Sequence, residues 1–300
     1  MSAPALAALR AVVGERNLLL DPADFAAVRA DGRGDCGGDP LAILRPSSAE
    51  EVSAIALLLA LEQEFGTLLT VFEGMSERAM SAALEHMPTL PCPFRQGVPG
   101  YAVLVELSAG RAFAAEDLEE RLGAALMPFM DGASPAVQDV VVDHRTGLWA
   151  IRHAVPEGLR ARGSVLACDI ALLRGDVMRF RDDLRDRLAK LEPALELHDF
   201  GHIGDGGLHF NLVWPRGRDA LPAELADRAR MMIVDAVVRE YGGSFSAEHG
   251  VGPRNIAQYQ RFTSPSERRL AGAAQRLFAP VPLGRVDFGI LGSEELNDVE

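Results

Sequence analysis

Glu196-Leu-His-Asp-Phe-Gly-His-Ile-Gly-Asp-Gly-Gly-Leu-His-Phe-Asn-Leu-Val-Trp214 is two strand-like runs joined by a glycine turn. Residues 198–203 and 208–214 carry the aromatic and branched residues that suit a pleated, half-buried surface. Gly204-Asp-Gly-Gly207 between them supplies the small residues that a tight reversal requires. If Ile203 stands opposite Leu208 across that turn, His202 stands opposite His209. Directly opposed residues place their Cβ atoms roughly 4.5–5.5 Å apart. Two imidazoles at that spacing can converge on one ion through bonds of roughly 2.0–2.1 Å. Asn211 lies two residues beyond His209, so it shares that face and can hold a substrate or a bound water beside the ion.

A second stretch, Ser246-Ala-Glu-His-Gly-Val-Gly252, supplies an oxygen ligand. Glu248 completes a His₂Glu set, and three-ligand sets of this kind leave a position open for water or substrate. His249 points elsewhere if the segment is extended, and is then free to move a proton near neutral pH. Taken singly, the histidines are ordinary strand residues and Glu248 a surface acid; the constellation carries the reading. Zn²⁺ suits the N/N/O donors best, with Mn²⁺ the alternative. The His-Glu-x-x-His signature of zinc proteases is absent, which ranks metal-assisted hydrolysis last.

Outward from the hairpin the chain alternates. Strands are expected at 67–73, 101–107, 137–142 and 164–172, and helices near 76–87, 115–127, 145–154 and 175–190, with a helix near 219–241 after the hairpin. In that last helix Met231, Met232, Val234, Ala236 and Val237 are core positions. The alternation predicts an α+β domain, an antiparallel sheet with helices on one face. The proline-rich stretch 88–100 reads as a rigid connection.

The two histidine motifs resemble the C-terminal half of the flavin-dependent D-2-hydroxyacid dehydrogenases, the FAD-linked oxidase branch that includes the glycolate oxidase D subunit, D-lactate dehydrogenase and D-2-hydroxyglutarate dehydrogenase. The family pattern is Gly-His-x-Gly-Asp-Gly-Asn-x-His-x-Asn followed by Ser-Ala-Glu-His-Gly-x-Gly, and this chain matches both, with Gly207 where Asn is usual. The resemblance implies His202, His209 and Glu248 as divalent-metal ligands, His249 as the base that takes the hydroxyl proton, and Asn211 as a substrate contact. Leu148-Trp-Ala-Ile-Arg152 resembles the family's Leu-Trp-x-x-Arg segment, implying that Arg152 grips the substrate carboxylate. A planar, permanently charged guanidinium suits that role. Pro156 stands where the family often has a hydroxyl residue, and Ala167 where it has a lysine two residues before Asp169. The C-terminal Asn-Pro-Gly-Lys is replaced by Leu283-Gly-Arg-Val-Asp-Phe-Gly289. The resemblance further implies a ferredoxin-like sheet.

At the front, Asp21-Pro-Ala-Asp24 and Leu41-Ala-Ile-Leu-Arg-Pro-Ser-Ser-Ala-Glu-Glu-Val52 resemble the opening of the family's flavin-binding domain, where Ser47 or Ser48 caps a helix. A glycine-rich loop at 31–39 precedes it, with Gly37-Gly38 a turn signal. The chain then passes from Ile55-Ala-Leu-Leu-Leu-Ala60 directly into Leu61-Glu-Gln-Glu-Phe-Gly-Thr-Leu-Leu-Thr-Val-Phe-Glu73, which resembles the start of the substrate domain. The glycine-rich pyrophosphate loops that the family carries between these points are absent. The expected organisation is therefore residues 1–62 as a truncated part of a FAD-binding domain and 63–300 as the substrate and metal domain. The implied function is FAD-linked oxidation of a small D-2-hydroxy acid to the 2-oxo acid. The alternatives are a non-catalytic metal- and carboxylate-binding remnant and a subunit relying on a separate flavin-binding chain. Purified alone, the chain is expected to hold no stoichiometric FAD and to form homo-oligomers through the face left uncovered.

Composition narrows the partners. The net charge of −13, with no basic tract, argues against nucleic acid and anionic membranes. No apolar run reaches the roughly 18 residues of a membrane span. Arg10 and Glu15 break any signal-like N-terminal run. Cys36, Cys92 and Cys168 are odd in number and widely spaced, as in reduced, cytoplasmic proteins.

Overall fold

The computed structural model describes residues 18–19, 43–44, 49–108, 115–131, 135–143, 147–278 and 286–289, with side chains from residue 56 onward apart from 115 and 116. The Asp21–Asp24 segment, the 31–39 loop with Cys36, the Ser47/Ser48 cap and residues 283–285 lie outside these.

The central hairpin pairs β7 (Glu196–Gly201) with β8 (Gly207–Pro215), antiparallel, with Phe200 opposite His209 and His198 opposite Asn211. This register is two residues away from the expected one. β7 stops at Gly201, and His202 sits on the turn instead of facing His209. The cause is local: the His202 carbonyl accepts the N–H groups of both Asp205 (3.1 Å) and Gly207 (3.0 Å). Gly201 and Gly206 take φ of 135° and 94°, backbone that favours glycine.

The rest of the sheet grows from this hairpin. On one side β7 pairs with β3 (Leu69–Ser76), which pairs with β4 (Tyr101–Leu107); on the other, β8 pairs with β5 (Gly163–Leu166) and β6 (Asp169–Ala171). All of these pairings are antiparallel. The strand expected at 164–172 is thus one ladder broken at Ala167–Cys168, where Arg230 takes the Ala167 carbonyl (3.0 Å). Residues 137–142 form no strand, despite the run Val140-Val141-Val142. β-propensity needs a partner edge to be realised, and this run has none among the described residues. A separate short pair joins β1 (Leu18–Leu19) to β2 (Ile43–Leu44).

The helices are α1 (Ala49–Phe65), α2 (Glu77–His86), α3 (Ala115–Met130), α4 (Gly147–Arg162), α5 (Val177–Leu191), α6 (Ala223–Asp235), α7 (Ile256–Phe262) and α8 (Pro265–Phe278). A π-helical turn, Ala236–Glu240, extends α6. Ser76 caps α2 by accepting the Ala79 N–H. The α+β class with an antiparallel sheet packed by helices follows the sequence reading, and helical residues meet β8 on both of its sides. Met75, Ala102, Leu104, Phe200 and Val213 pack with α2 and α4 residues such as Met80, Ile151 and Val155. Phe210 and Leu212 alternate with His209 and Val213 along β8, so they point the other way. There Phe210 meets Phe180 of α5, ring centroids 5.3 Å apart. The physical reason is that Leu208, Phe210, Leu212 and Val213 are each at most 1% exposed. A strand apolar on both sides needs cover on both.

The chain divides into two compact units, residues 1–64 with 120–138, and 65–119 with 139–300. In the first, Leu57, Leu58, Leu61 and Leu126 are buried, and Arg121 donates to the Glu64 side chain and carbonyl, both at 2.8 Å. The second holds the six-stranded sheet. Cys92 and Cys168 are free thiols, and burial pushes the Cys168 thiol up to about 11, which leaves it protonated and inert. Among the described residues no helix is long and apolar enough to cross a membrane.

Candidate functional site

The second unit brings seven polar side chains to the turn end of the β7–β8 hairpin. His202 comes from the turn, His209 from β8, Asp169 from β6, Glu73 from β3, Arg152 from α4, and Glu248 with His249 from the segment after α6. That segment is tied to the sheet by a β-bridge between Ser244 and Ala171. Gly243 makes the approach possible, since a Cβ there would lie 2.3 Å from the Ala171 carbonyl oxygen.

Although His202 and His209 are not opposed in the ladder, their rings approach to 5.6 Å between centroids at 73°. Both direct Nε2 at one carboxylate. His202 Nε2 lies 3.5 Å from Glu248 Oε2, and His209 Nε2 lies 3.3 Å from Glu248 Oε1. Donor atoms on a tetrahedral ion with bonds near 2.0–2.1 Å lie roughly 3.3–3.4 Å apart. Each histidine Nε2 therefore stands close to that spacing from its own Glu248 oxygen. Burial holds the His209 imidazole below its ordinary pKa, against the upward pull of Asp169 and Glu248. A neutral ring with a free Nε2 lone pair is the form a metal needs.

His249 does not point away from Glu248 as an extended segment would require. Its Nε2 is 3.6 Å from Glu248 Oε1, and its ring stacks on His209 at 5.4 Å and 16°. The chain bends here because Asp169 Oδ2 accepts two consecutive N–H groups, from Glu248 (3.0 Å) and His249 (2.8 Å), and Gly250 turns at φ 68°. Asp169, His209, Glu248 and His249 form an overlapping set whose candidate ligand atoms lie within 4.8 Å of one another.

Two carboxylates stand behind the histidines. Asp169 Oδ1 lies 3.4 Å from His209 Nδ1, and Glu73 Oε1 lies 3.4 Å from His202 Nδ1. Glu73, only 4% exposed, also accepts from Arg152 Nε through Oε2. Arg152 is itself buried, lies over the Phe200 ring at 4.6 Å, and offers no hydrogen bond from its terminal nitrogens to the described residues. Asn211 shares the His209 face, and its Nδ2 donates to the His209 carbonyl (3.3 Å). Sequence reasoning gave Glu73 no role. The available signal was a lone carboxylate in an otherwise uncharged run, Leu-Leu-Thr-Val-Phe-Glu73, because a buried charge needs partners.

The glycine-rich turn at 204–207 does not offer a pyrophosphate cradle. Three of its four N–H groups are already engaged, Gly204 on the Phe72 carbonyl and Asp205 and Gly207 on that of His202.

Residues 47–281 match the family model for FAD linked oxidases, C-terminal domain. The chain is similar to the D-2-hydroxyglutarate dehydrogenase of Stutzerimonas stutzeri (strain A1501), 30% identical over 225 residues that cover 71% of this chain and 45% of that protein. It is 34% identical to the mitochondrial D-2-hydroxyglutarate dehydrogenase of Rattus norvegicus over 206 residues, 66% of this chain and 35% of that one. With the mitochondrial enzyme of the same name from Arabidopsis thaliana the identity is 26% over 232 residues, 76% and 39% of the two chains. The chain thus spans less than half the length of these relatives.

Proposed function

The chain belongs to the FAD-linked oxidase family, in its flavin-dependent D-2-hydroxyacid dehydrogenase branch, and from that membership we propose that its site binds a small D-2-hydroxy acid for oxidation to the 2-oxo acid. The observation that carries the reading is the convergence of His202 and His209 Nε2 on the Glu248 carboxylate at 3.5 and 3.3 Å. These three residues would hold a divalent ion, with Zn²⁺ favoured by the N/N/O donors. Held by these residues, a divalent ion would supply a Lewis acid for orienting a 2-hydroxy acid. Arg152 takes the carboxylate through its terminal nitrogens, and Asn211 lines the same face. Oxidation removes a proton from the hydroxyl and a hydride from C2. His249 accepts the proton, since it is the exposed imidazole beside the ion's carboxylate ligand. FAD, when bound, supplies the hydride acceptor. The turn at 204–207 does not fit its pyrophosphate. The domain boundary near residue 62 and a cytoplasmic location belong to the same reading.

A second ligand set, Asp169, His209, Glu248 and His249, is favoured by their mutual approach. Elemental analysis separates the two. The purified chain, loaded with Zn²⁺ and desalted, is expected to retain one equivalent. His202→Ala, His209→Ala and Glu248→Ala are expected to reduce it to background, while His249→Ala retains it. Loss in His249→Ala with retention in His202→Ala would assign the ion to the second set. Equal metal in every variant would refute both.

A further inference from the structure

We propose that Glu73 is a positioning residue that joins the ion-binding and acid-binding halves of this site. The inference rests on the proposed roles of His202 and Arg152.

Glu73 lies in the buried second half of β3, and its side chain is 5% exposed. A carboxylate placed there without partners would be strongly unfavourable, and its two oxygens have one each. Oε2 accepts from Arg152 Nε, and Oε1 stands 3.4 Å from His202 Nδ1. The two consequences are separable. On the histidine side, a carboxylate behind Nδ1 selects the tautomer with hydrogen on Nδ1, which leaves the Nε2 lone pair free and aimed at Glu248. On the arginine side, holding Nε through the carboxylate fixes the plane of the guanidinium over Phe200. It leaves the two terminal nitrogens as the free edge, the edge that meets a planar anion as a fork. One rigid strand residue thus sets the orientation of a ligand from the turn and of a cation from α4. Asp169 repeats the arrangement on the other histidine: Oδ1 lies behind His209 Nδ1, and Oδ2 holds the N–H groups of Glu248 and His249. Each imidazole therefore has a carboxylate at its back that also grips a second component of the site.

The test uses Glu73→Gln in the full chain, because glutamine keeps the shape and removes the charge. Long-range ¹H–¹⁵N spectra at pH 8, without metal, are expected to show His202 as the Nδ1–H tautomer in the wild type and as a mixture in the variant. The Arg152 Nε–H signal is expected to be shifted downfield and slow to exchange in the wild type, and to lose both properties in the variant. Zn²⁺ affinity, measured against a chelator, is expected to fall by roughly 10–100-fold, the usual loss when a partner behind a metal-bound histidine is removed. A purely structural role would lower the melting temperature and leave the tautomer unchanged. If glutamine prevents folding, Glu73→Asp carries the same measurements, since it withdraws the charge by one methylene from both partners. An unchanged tautomer together with unchanged Zn²⁺ affinity overturns the proposal. A wild type that binds no Zn²⁺ overturns the ion assignment instead, and the metal-free spectra then decide Glu73 by themselves.

Discussion

Arg152 shows how far a residue's role can be read before its surroundings are known. The motif around it pointed to a carboxylate-gripping guanidinium, and the structure buries that guanidinium against Glu73 and Phe200. A lysine could keep the charge near Glu73 but could not span both Glu73 and an incoming acid with a flat fork. With Zn²⁺ present, Arg152→Lys is expected to weaken calorimetric binding of D-2-hydroxyglutarate at least tenfold. Equal affinity in the two proteins would remove Arg152 from the acid site. At this scale the types of the residues were legible and their geometry was not. His202, His209 and Glu248 do meet, because their motifs carry the donors. The pairing of His202 with His209 in the ladder failed, because a turn's length depends on which glycines enter left-handed backbone. Glu73 and Asp169 stayed hidden because their partners lie far away in sequence.

Helix α4 places Arg152, and two of its residues break local helix rules. Pro156 sits inside it, so the Arg152 carbonyl, one turn earlier, has no helical N–H donor. The helix was expected near 145–154, yet it runs to Arg162 because its buried face, Ile151, Val155 and Leu159, continues past the proline. Gly158 is the second. A Cβ there would lie 2.3 Å from the carbonyl oxygen of Ala82 in α2, and backbone cannot move aside as a flexible side chain would. Alanine in a helix normally gains about 0.5–1 kcal/mol over glycine. Here overpacking, at about 1–3 kcal/mol, should exceed that gain. Gly158→Ala is expected to lower the urea midpoint with little change in slope; a raised midpoint would mean that α2 and α4 do not approach so closely. Elements with strong periodicity were legible in this way. The 137–142 strand was not, since three valines describe a preference and a sheet edge has to be there to use it.

For the whole molecule, the sequence indicated the α+β class and the antiparallel sheet packed by helices, and the doubly buried β8 is covered on both sides. One property of the core links fold to pH. His198 is fully buried opposite Asn211, its Nδ1 has no partner, and burial lowers its pKa below the ordinary 6.5. His209 is shifted in the same direction for the same leading reason. The unfolded chain therefore takes up these protons before the folded one. Stability from this source is fully present above pH 6.5 and is lost as pH falls from there toward the folded-state values. Thermal melts of the metal-free chain are expected to be flat between pH 7 and 8 and to decline below 6.5. His198→Gln should make that decline shallower, and an unchanged slope would show that His198 does not contribute to it.

The Glu248–His249 segment has a consequence for the connectivity of the chain. His209 and Glu248 lie on either side of α6 and its π-helical turn, so an ion shared between them closes that whole stretch into a ring. On the proposed reading the ion is a reversible cross-link, restricting the unfolded chain as a staple would. Its contribution to stability grows with the free ion concentration relative to the dissociation constant. The chemistry of the site and the tethering of the chain beyond β8 would then depend on the same atom.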